Sequence, residues 1–340
     1  MHVLVTGAAG FIGFHVAAAL LSRGDEVVGL DSLTDYYDPA LKRARLAELE
    51  RLAGRAGARF RFIRADLADR DAVEAAFAEG PFDRVVHFAA QAGVRYSLER
   101  PEAYVTSNLV GFANLLDACR LAATPHLVFA SSSSVYGGSE AMPYSEHQAA
   151  VHPIQLYAAT KRANELMAHS YAHLYGLPAT ALRLFTVYGP WGRPDMALFE
   201  FTRAIIEGDA ISLSNHGVHE RDFTFIDDAV ASVLKVVDGI AMADQDWQAS
   251  APDPATAFAP FEVFNIASGK PVRLLDLVAA VERAVGKSAR KELIERSPAD
   301  MIATHADITR LVTRFGEPPL TPLDEGVTRF VAWYRTYRGL

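Results

Sequence analysis

The chain has 340 residues, half of them hydrophobic, enough for one large domain or two fused ones that fold without disulfide or metal staples. A formal net charge of -8 excludes a general nucleic-acid binder, which carries a basic surplus or stripe; an anionic ligand must be met locally, by helix N-termini and a few arginines. The one cysteine, Cys119, has no internal partner, no secretory leader precedes the first motif, and no apolar run reaches the ~18 residues that span a bilayer, so a cytoplasmic protein with no membrane partner is expected.

Val3-Leu4-Val5 is a continuous apolar strand, followed by a glycine turn and an apolar helix through Phe14 to Leu21. Glu26-Val27-Val28-Gly29-Leu30 then reads as a second buried strand, and the three elements together predict a right-handed parallel crossover. The alternation continues with a strand at 61–64, a helix after Asp69, a strand at 84–88, a helix from Asn108 to Leu121 and a strand at 126–129. Apolar strands separated by amphipathic helices imply an α/β class with a Rossmann-like, doubly wound parallel sheet. Beyond Thr186 the pattern turns irregular, with Pro190, Pro194 and a helix from Met196 to Glu207. The stretch 245–260, rich in Ala, Pro and Asp, reads as a surface loop; a strand at 262–266, a helix after Leu274 and a terminal helix from Asp324 close the chain.

Between the first strand and helix stands Thr6-Gly7-Ala8-Ala9-Gly10-Phe11-Ile12-Gly13. Its Gly-x-x-Gly-x-x-Gly spacing permits positive φ, close approach of backbone to phosphate, and tight helix-on-strand packing; a pyrophosphate would sit on the helix N-terminus. Asp31 ends the second strand, where a carboxylate accepts hydrogen bonds from an adenosine ribose and repels a 2′-phosphate, which favours NAD over NADP. Asp66-Leu67, after the third strand, falls near the place of an adenine.

Tyr157-Ala158-Ala159-Thr160-Lys161 puts a phenol and an ammonium on one face of a helix. A phenol of pKa ~10 is a poor base at neutral pH unless nearby positive charge stabilises its phenolate, and Lys161 with a nicotinamide ring can supply that charge. Tyr157 would then take the proton of a substrate hydroxyl while hydride leaves for the nicotinamide. The pair follows a nucleotide fold and the run Ser131-Ser132-Ser133-Ser134, and that combination resembles the extended short-chain dehydrogenase/reductase family. Ser132 matches the family's hydroxyl that bonds the same substrate oxygen.

The resemblance covers essentially the whole chain, and its details are similar to the UDP-glucuronate 4-epimerases. It rests on Asp35-Tyr36-Tyr37-Asp38-Pro39, on Gln91-Ala92-Gly93-Val94-Arg95-Tyr96-Ser97, on the run from Thr186 through Tyr188-Gly189-Pro190-Trp191-Gly192-Arg193-Pro194-Asp195-Met196, on Arg221-Asp222-Phe223-Thr224-Phe225-Ile226-Asp227-Asp228 and on Pro252-Asp253-Pro254-Ala255-Thr256. It implies an NAD-binding unit over 1–186, to which the chain returns around 222–268, and a smaller sugar-nucleotide unit mainly over 187–340. It also implies tightly held NAD, a UDP-sugar substrate, no metal, and a homodimer packed through the helices after Pro101 and Tyr157. The cofactor residues it implies are Gly7, Gly10, Phe11, Ile12, Gly13, Asp31, Ser32, Asp66, Leu67, Phe88, Ala89, Ala90, Gln91, Asn108, Ser131, Tyr157, Lys161 and Phe185. For the substrate they are Arg95, Ser132, Ser133, Ser134, Tyr157, Thr186, Arg193, Met196, Ala197, Ser212, Arg221 and Arg296. Related 4,6-dehydratases and decarboxylases carry carboxylates beside the serine run, and none stands between Ala130 and Gly138. UDP-glucose/UDP-galactose 4-epimerases usually carry Asn where Thr186 stands. The expected reaction is therefore 4-epimerisation of UDP-glucuronate; the alternatives are a 4-epimerase for UDP-galactose or an N-acetylated sugar, and a non-catalytic NAD-binding regulator. In this reading His216 is a surface residue in the strand near the uracil.

Overall fold

A computed structural model describes residues 1–295 and 301–340. Its centre is a seven-stranded parallel sheet made by β1 (His2–Thr6), β2 (Glu26–Asp31), β3 (Phe60–Arg64), β4 (Arg84–His87), β5 (Leu127–Ser132), β6 (Ala179–Leu184) and, after β7 (Thr186–Tyr188), β8 (Ala210–Ser214) and β9 (Glu220–Phe225), a late strand β10 (Phe261–Ile266). The order is β10-β6-β5-β4-β1-β2-β3. The central strands are buried on both faces, as a parallel sheet demands, with Val3 and Val5 entering one apolar core and Leu4 the other, while the edge strand β3 stays partly exposed. The strand order reverses beside β1, so a crevice opens there at the carboxyl ends of β1 and β4.

Local chemistry sets the helix ends. Asp38 caps the helix Pro39–Ala56 by accepting the Ala40 amide at 2.8 Å, with Pro39 at its first position and Gly57 in the left-handed conformation at its end. Asp69 caps Arg70–Phe77 through the Ala72 amide. The helix expected from Asn108 becomes regular only at Gly111; Val105–Val110 is a π turn, and Asn108 lies inside it.

The remaining strands form smaller sheets: β7, β9 and β11 (Pro271–Arg273) in one, β8 and β12 (Arg290–Ile294) in the other. The terminal helix Leu323–Arg338 packs on Leu274–Val285, with Phe330 and Tyr334 against Phe199. Arg45, fully buried, crosses between the two parts of the chain, donating to the carbonyls of Ala9 and Trp191 and to the Tyr37 hydroxyl. Two expectations need correction. The stretch 245–260 has no regular structure yet is no free surface loop: Ala255, Ala257 and Ala259 are buried, and Thr256 donates to Asp244. His216 is exposed as expected, but it sits in a short 3-10 turn after β8, not in a strand.

Candidate active site

One long cleft runs along the carboxyl ends of the central strands. At its floor Gly7 has φ of 73°, and a Cβ there would stand 2.6 Å from the Ala89 amide nitrogen; a Cβ on Gly13 would run into the Gly7 carbonyl. The loop can therefore be only glycine at these points, and it brings the N-terminus of the helix Phe11–Ser22 directly to the cleft. Asp31 closes one end: its carboxylate accepts the Ala9 and Leu33 amides at 3.1 and 2.8 Å while still lining the cleft. Tyr157 and Lys161 close the other, one turn apart on the helix Leu156–Tyr175. A carboxylate for a ribose, bare backbone for a pyrophosphate and a Tyr–Lys pair for a nicotinamide lie in that order, and a dinucleotide fits the donors and acceptors present.

Of the residues expected to meet a cofactor, Phe11, Ile12, Ser32, Asp66, Leu67, Phe88, Ala89, Ala90, Gln91, Ser131 and Phe185 also line this cleft. Asn108 does not: it sits one layer behind, where its amide oxygen accepts the Gln91 N–H at 2.8 Å and its amide nitrogen donates to the Gln91 carbonyl and to Thr160. Of the substrate residues, Ser132, Arg193 and Met196 line the cleft, and Thr186 and Ala197 line a small apolar recess that shares Arg193 and Met196 with it. Ser133 and Ser134 begin the turn beyond β5, off the lining. Arg95 stands beside Glu200, outside both. Ser212 is exposed on β8, and the Arg221 guanidinium donates to the Met301 and Ile302 carbonyls. Arg296 lies outside the described residues.

Electrostatics separate the two members of the pair. Lys161 is almost wholly buried with its Nζ donating to the Ala130 carbonyl at 2.9 Å, and burial pulls its pKa down to about 8. Burial raises the Tyr157 phenol, while the Arg193 guanidinium and the Ser132 hydroxyl act the other way. Arg193 is thus a cation beside the phenol that the residue spacing did not reveal. A residue that sequence reasoning missed is Glu165, one turn beyond Lys161 on the same helix face. Fully buried, it accepts from Ser131 at 2.6 Å, from both ends of the Arg183 fork at 3.0 Å, and from Arg162. It ties the face of the helix that carries Tyr157 and Lys161 to the ends of β5 and β6, and the i, i+4, i+8 spacing of Tyr157, Lys161 and Glu165 was its signal. Tyr36, Tyr37 and Lys42 also line the cleft. Among the described residues no three His, Cys, Asp or Glu side chains could hold a metal ion, and no helix is long and apolar enough to cross a membrane.

With this geometry, the sequence model of the NAD dependent epimerase/dehydratase family matches residues 3–247, and the chain belongs to that family. A probable UDP-glucuronate 4-epimerase of Rhizobium meliloti (strain 1021) is 46% identical over 341 residues, covering 99% of this chain and 98% of that one. A 37.6 kDa protein of Escherichia coli O111:H- without an assigned activity is 51% identical over 337 residues, covering 99% of each. Among solved structures, the UDP-glucuronic acid 4-epimerase of Bacillus cereus in complex with UDP-glucuronic acid and NAD superposes with a TM-score of 0.86 at 31% identity, covering 99% of this chain and all of that one.

Proposed function

We propose that the protein is an isomerase that interconverts UDP-glucuronate and UDP-galacturonate by NAD-dependent epimerisation at C4. The observation that carries this reading is the Tyr157–Lys161 pair at one end of a dinucleotide cleft, next to a serine run without a carboxylate. The probable UDP-glucuronate 4-epimerase of Rhizobium meliloti and the UDP-glucuronic acid 4-epimerase of Bacillus cereus, matched over 98% or more of their length, support the choice of sugar.

NAD, when bound, supplies the acceptor for a hydride and returns it later. The chain does the rest. Tyr157, as phenolate, takes the proton of the C4 hydroxyl while Ser132 holds that oxygen and the buried Lys161 ammonium and Arg193 keep the phenolate accessible near neutral pH. The 4-keto sugar turns about its pyrophosphate and presents its other face, and Tyr157 gives the proton back as C4 is reduced. Beside the serine run, between Ala130 and Gly138, no carboxylate stands where the related dehydratases and decarboxylases carry one, and the 4-ketone is reduced again as an intermediate. Thr186, with Ser133 and Ser134, is assigned to the sugar carboxylate, and Met196, Ala197, Ser212 and Arg296 to the rest of the sugar nucleotide, while Arg221 braces the backbone at Met301 and Ile302. Residues 1–186, with the return of the chain around 222–268, hold the cofactor, and the remainder of 187–340 holds the sugar nucleotide. The working form is a homodimer in a reducing compartment such as the cytoplasm, where the lone buried Cys119 stays a thiol.

Incubating the pure protein with UDP-glucuronate, UDP-galacturonate, UDP-glucose and UDP-N-acetylglucosamine, and resolving the products, tests this. The expected result is interconversion of the two uronates and little turnover of the neutral sugars. Turnover of neutral sugars alone would replace the substrate, and bound NAD without any turnover would favour a regulator.

A further inference from the structure

Three stretches that the sequence singled out meet at one point over the cleft, and the chemistry above gives no role to Tyr36, Gly93 or Asp195 within them. Tyr36 comes from the loop after β2, Gly93 from the loop after β4, and Asp195 from the loop after β7. The Tyr36 hydroxyl donates to the Asp195 carboxylate at 2.9 Å, across a separation of 159 residues. Asp195 in turn accepts both arms of the Arg193 fork, at 3.0 Å from Nε and 2.7 Å from Nη2. Gly93, with φ of 100°, makes the room: a Cβ there would collide with the Tyr36 hydroxyl. Arg193 lines both the cleft that holds Tyr157 and the recess that holds Thr186.

We propose that Asp195 is a positioning residue for Arg193 and that Tyr36 is its tether, so that a loop of the nucleotide-binding half fixes a cation beside the oxidising tyrosine. This rests on Tyr157 being the acid–base group. A free arginine side chain has many rotamers; a bidentate carboxylate two residues on leaves it one, and a phenol on the opposite wall leaves that carboxylate one. The charges agree with the geometry. Burial works against the Asp195 carboxylate, but the Arg193 guanidinium outweighs it and keeps it ionised below its usual range. Burial, and then Asp195, push the Tyr36 phenol well above its usual value, so it stays a donor throughout the working pH range. The other charged or titratable groups facing this cluster are Tyr37 just before and Arg45 within the helix Pro39–Ala56, Tyr96 and Tyr104 from the helical run before the π turn, Tyr157 from the helix Leu156–Tyr175 and Glu200 from the helix Ala197–Glu207. None of them reaches Asp195 with a hydrogen bond that would substitute for Tyr36 among the described residues.

The test is the pH dependence of kcat/KM and kcat for wild type, Tyr36→Phe and Asp195→Asn, from about pH 6 to about pH 9, with bound NAD measured for each. Tyr36→Phe keeps every charge and the ring contact with Tyr96 but removes the tether. The expected result is an acid limb displaced to higher pH, by roughly half a unit in Tyr36→Phe and about one unit in Asp195→Asn, with kcat near neutrality falling up to about tenfold and NAD content unchanged. The sign for Asp195→Asn is decisive. If Asp195 only offset the charge of Arg193, its removal would move the acid limb to lower pH, and that overturns the proposal. A rate loss with an unmoved limb, a wild-type rate, or loss of NAD does so too. If wild type ignores UDP-glucuronate, the substrate reading fails separately, and the same profiles are taken on the UDP-sugar it does accept; inactivity on all of them overturns both.

Discussion

At the scale of single residues, Lys161 shows how the site trades stability for chemistry. Its folded pKa of about 8 lies below the unfolded value of 10.5, so the folded protein binds fewer protons between those values. Stability therefore rises with pH through that window, and below it the full cost of burying the ammonium is present, about 3 kcal/mol. The hydrogen bond to the Ala130 carbonyl returns about 1 kcal/mol. Lys161→Met is predicted to raise the free energy of unfolding of the cofactor-free protein by about 2 kcal/mol at neutral pH while abolishing turnover. Denaturant titrations at neutral pH and near pH ~10 check this, because the gain shrinks as wild-type Lys161 loses its proton. Thr186 makes a second prediction. A C4 ketone beside a C5 carboxylate is a β-keto acid, which loses carbon dioxide when the breaking bond aligns with the carbonyl π system. Thr186→Ala is expected to release the carboxylate from the ring plane and raise the yield of a UDP-pentose; unchanged epimerisation and by-product would remove Thr186 from this role.

At the scale of elements, the helix Leu156–Tyr175 carries two jobs on two faces. Inward it presents Tyr157, Lys161 and Glu165; outward it leaves Leu166 and Leu174 more than half exposed. The helical run before Leu121 likewise exposes Val105 and Val110. Apolar faces of this kind are normally covered, and a second copy of the same pair of helices is the expected cover. Wild type should sediment at twice 37.0 kDa, and Val110→Glu with Leu166→Glu at that mass itself. A wild-type monomer at micromolar concentration would contradict the expectation. The elements also show what a sequence reveals. Strands β1, β2, β4 and β5 announce themselves because their central residues are buried and form apolar runs, whereas β6, with Thr180 and Arg183 among its buried residues, gives no such run. The strands β8 and β12 do not: Ser212 is exposed between Ile211 and Leu213, every residue of β12 is exposed, and only their mutual pairing defines them.

At the scale of the molecule, the site combines local signals with distant ones. The glycine loop, Asp31 and the Tyr157–Lys161 spacing are each contained within one turn or one crossover, so the chain displays them directly. The placement of Arg193 beside Tyr157, and the Tyr36–Asp195 bond, depend on two loops far apart in sequence being brought to opposite walls, which no periodicity encodes. Likewise Arg221 matches a motif position, but the fold turns its guanidinium to the backbone at Met301 and Ile302. The central claim is that the oxidation at C4 is transient and internal. It is tested most directly with UDP-glucuronate carrying deuterium at C4, incubated without added cofactor. The account predicts UDP-galacturonate that retains the deuterium at C4, with no net NADH. Deuterium lost to solvent, or NADH accumulating in proportion to product, would contradict it.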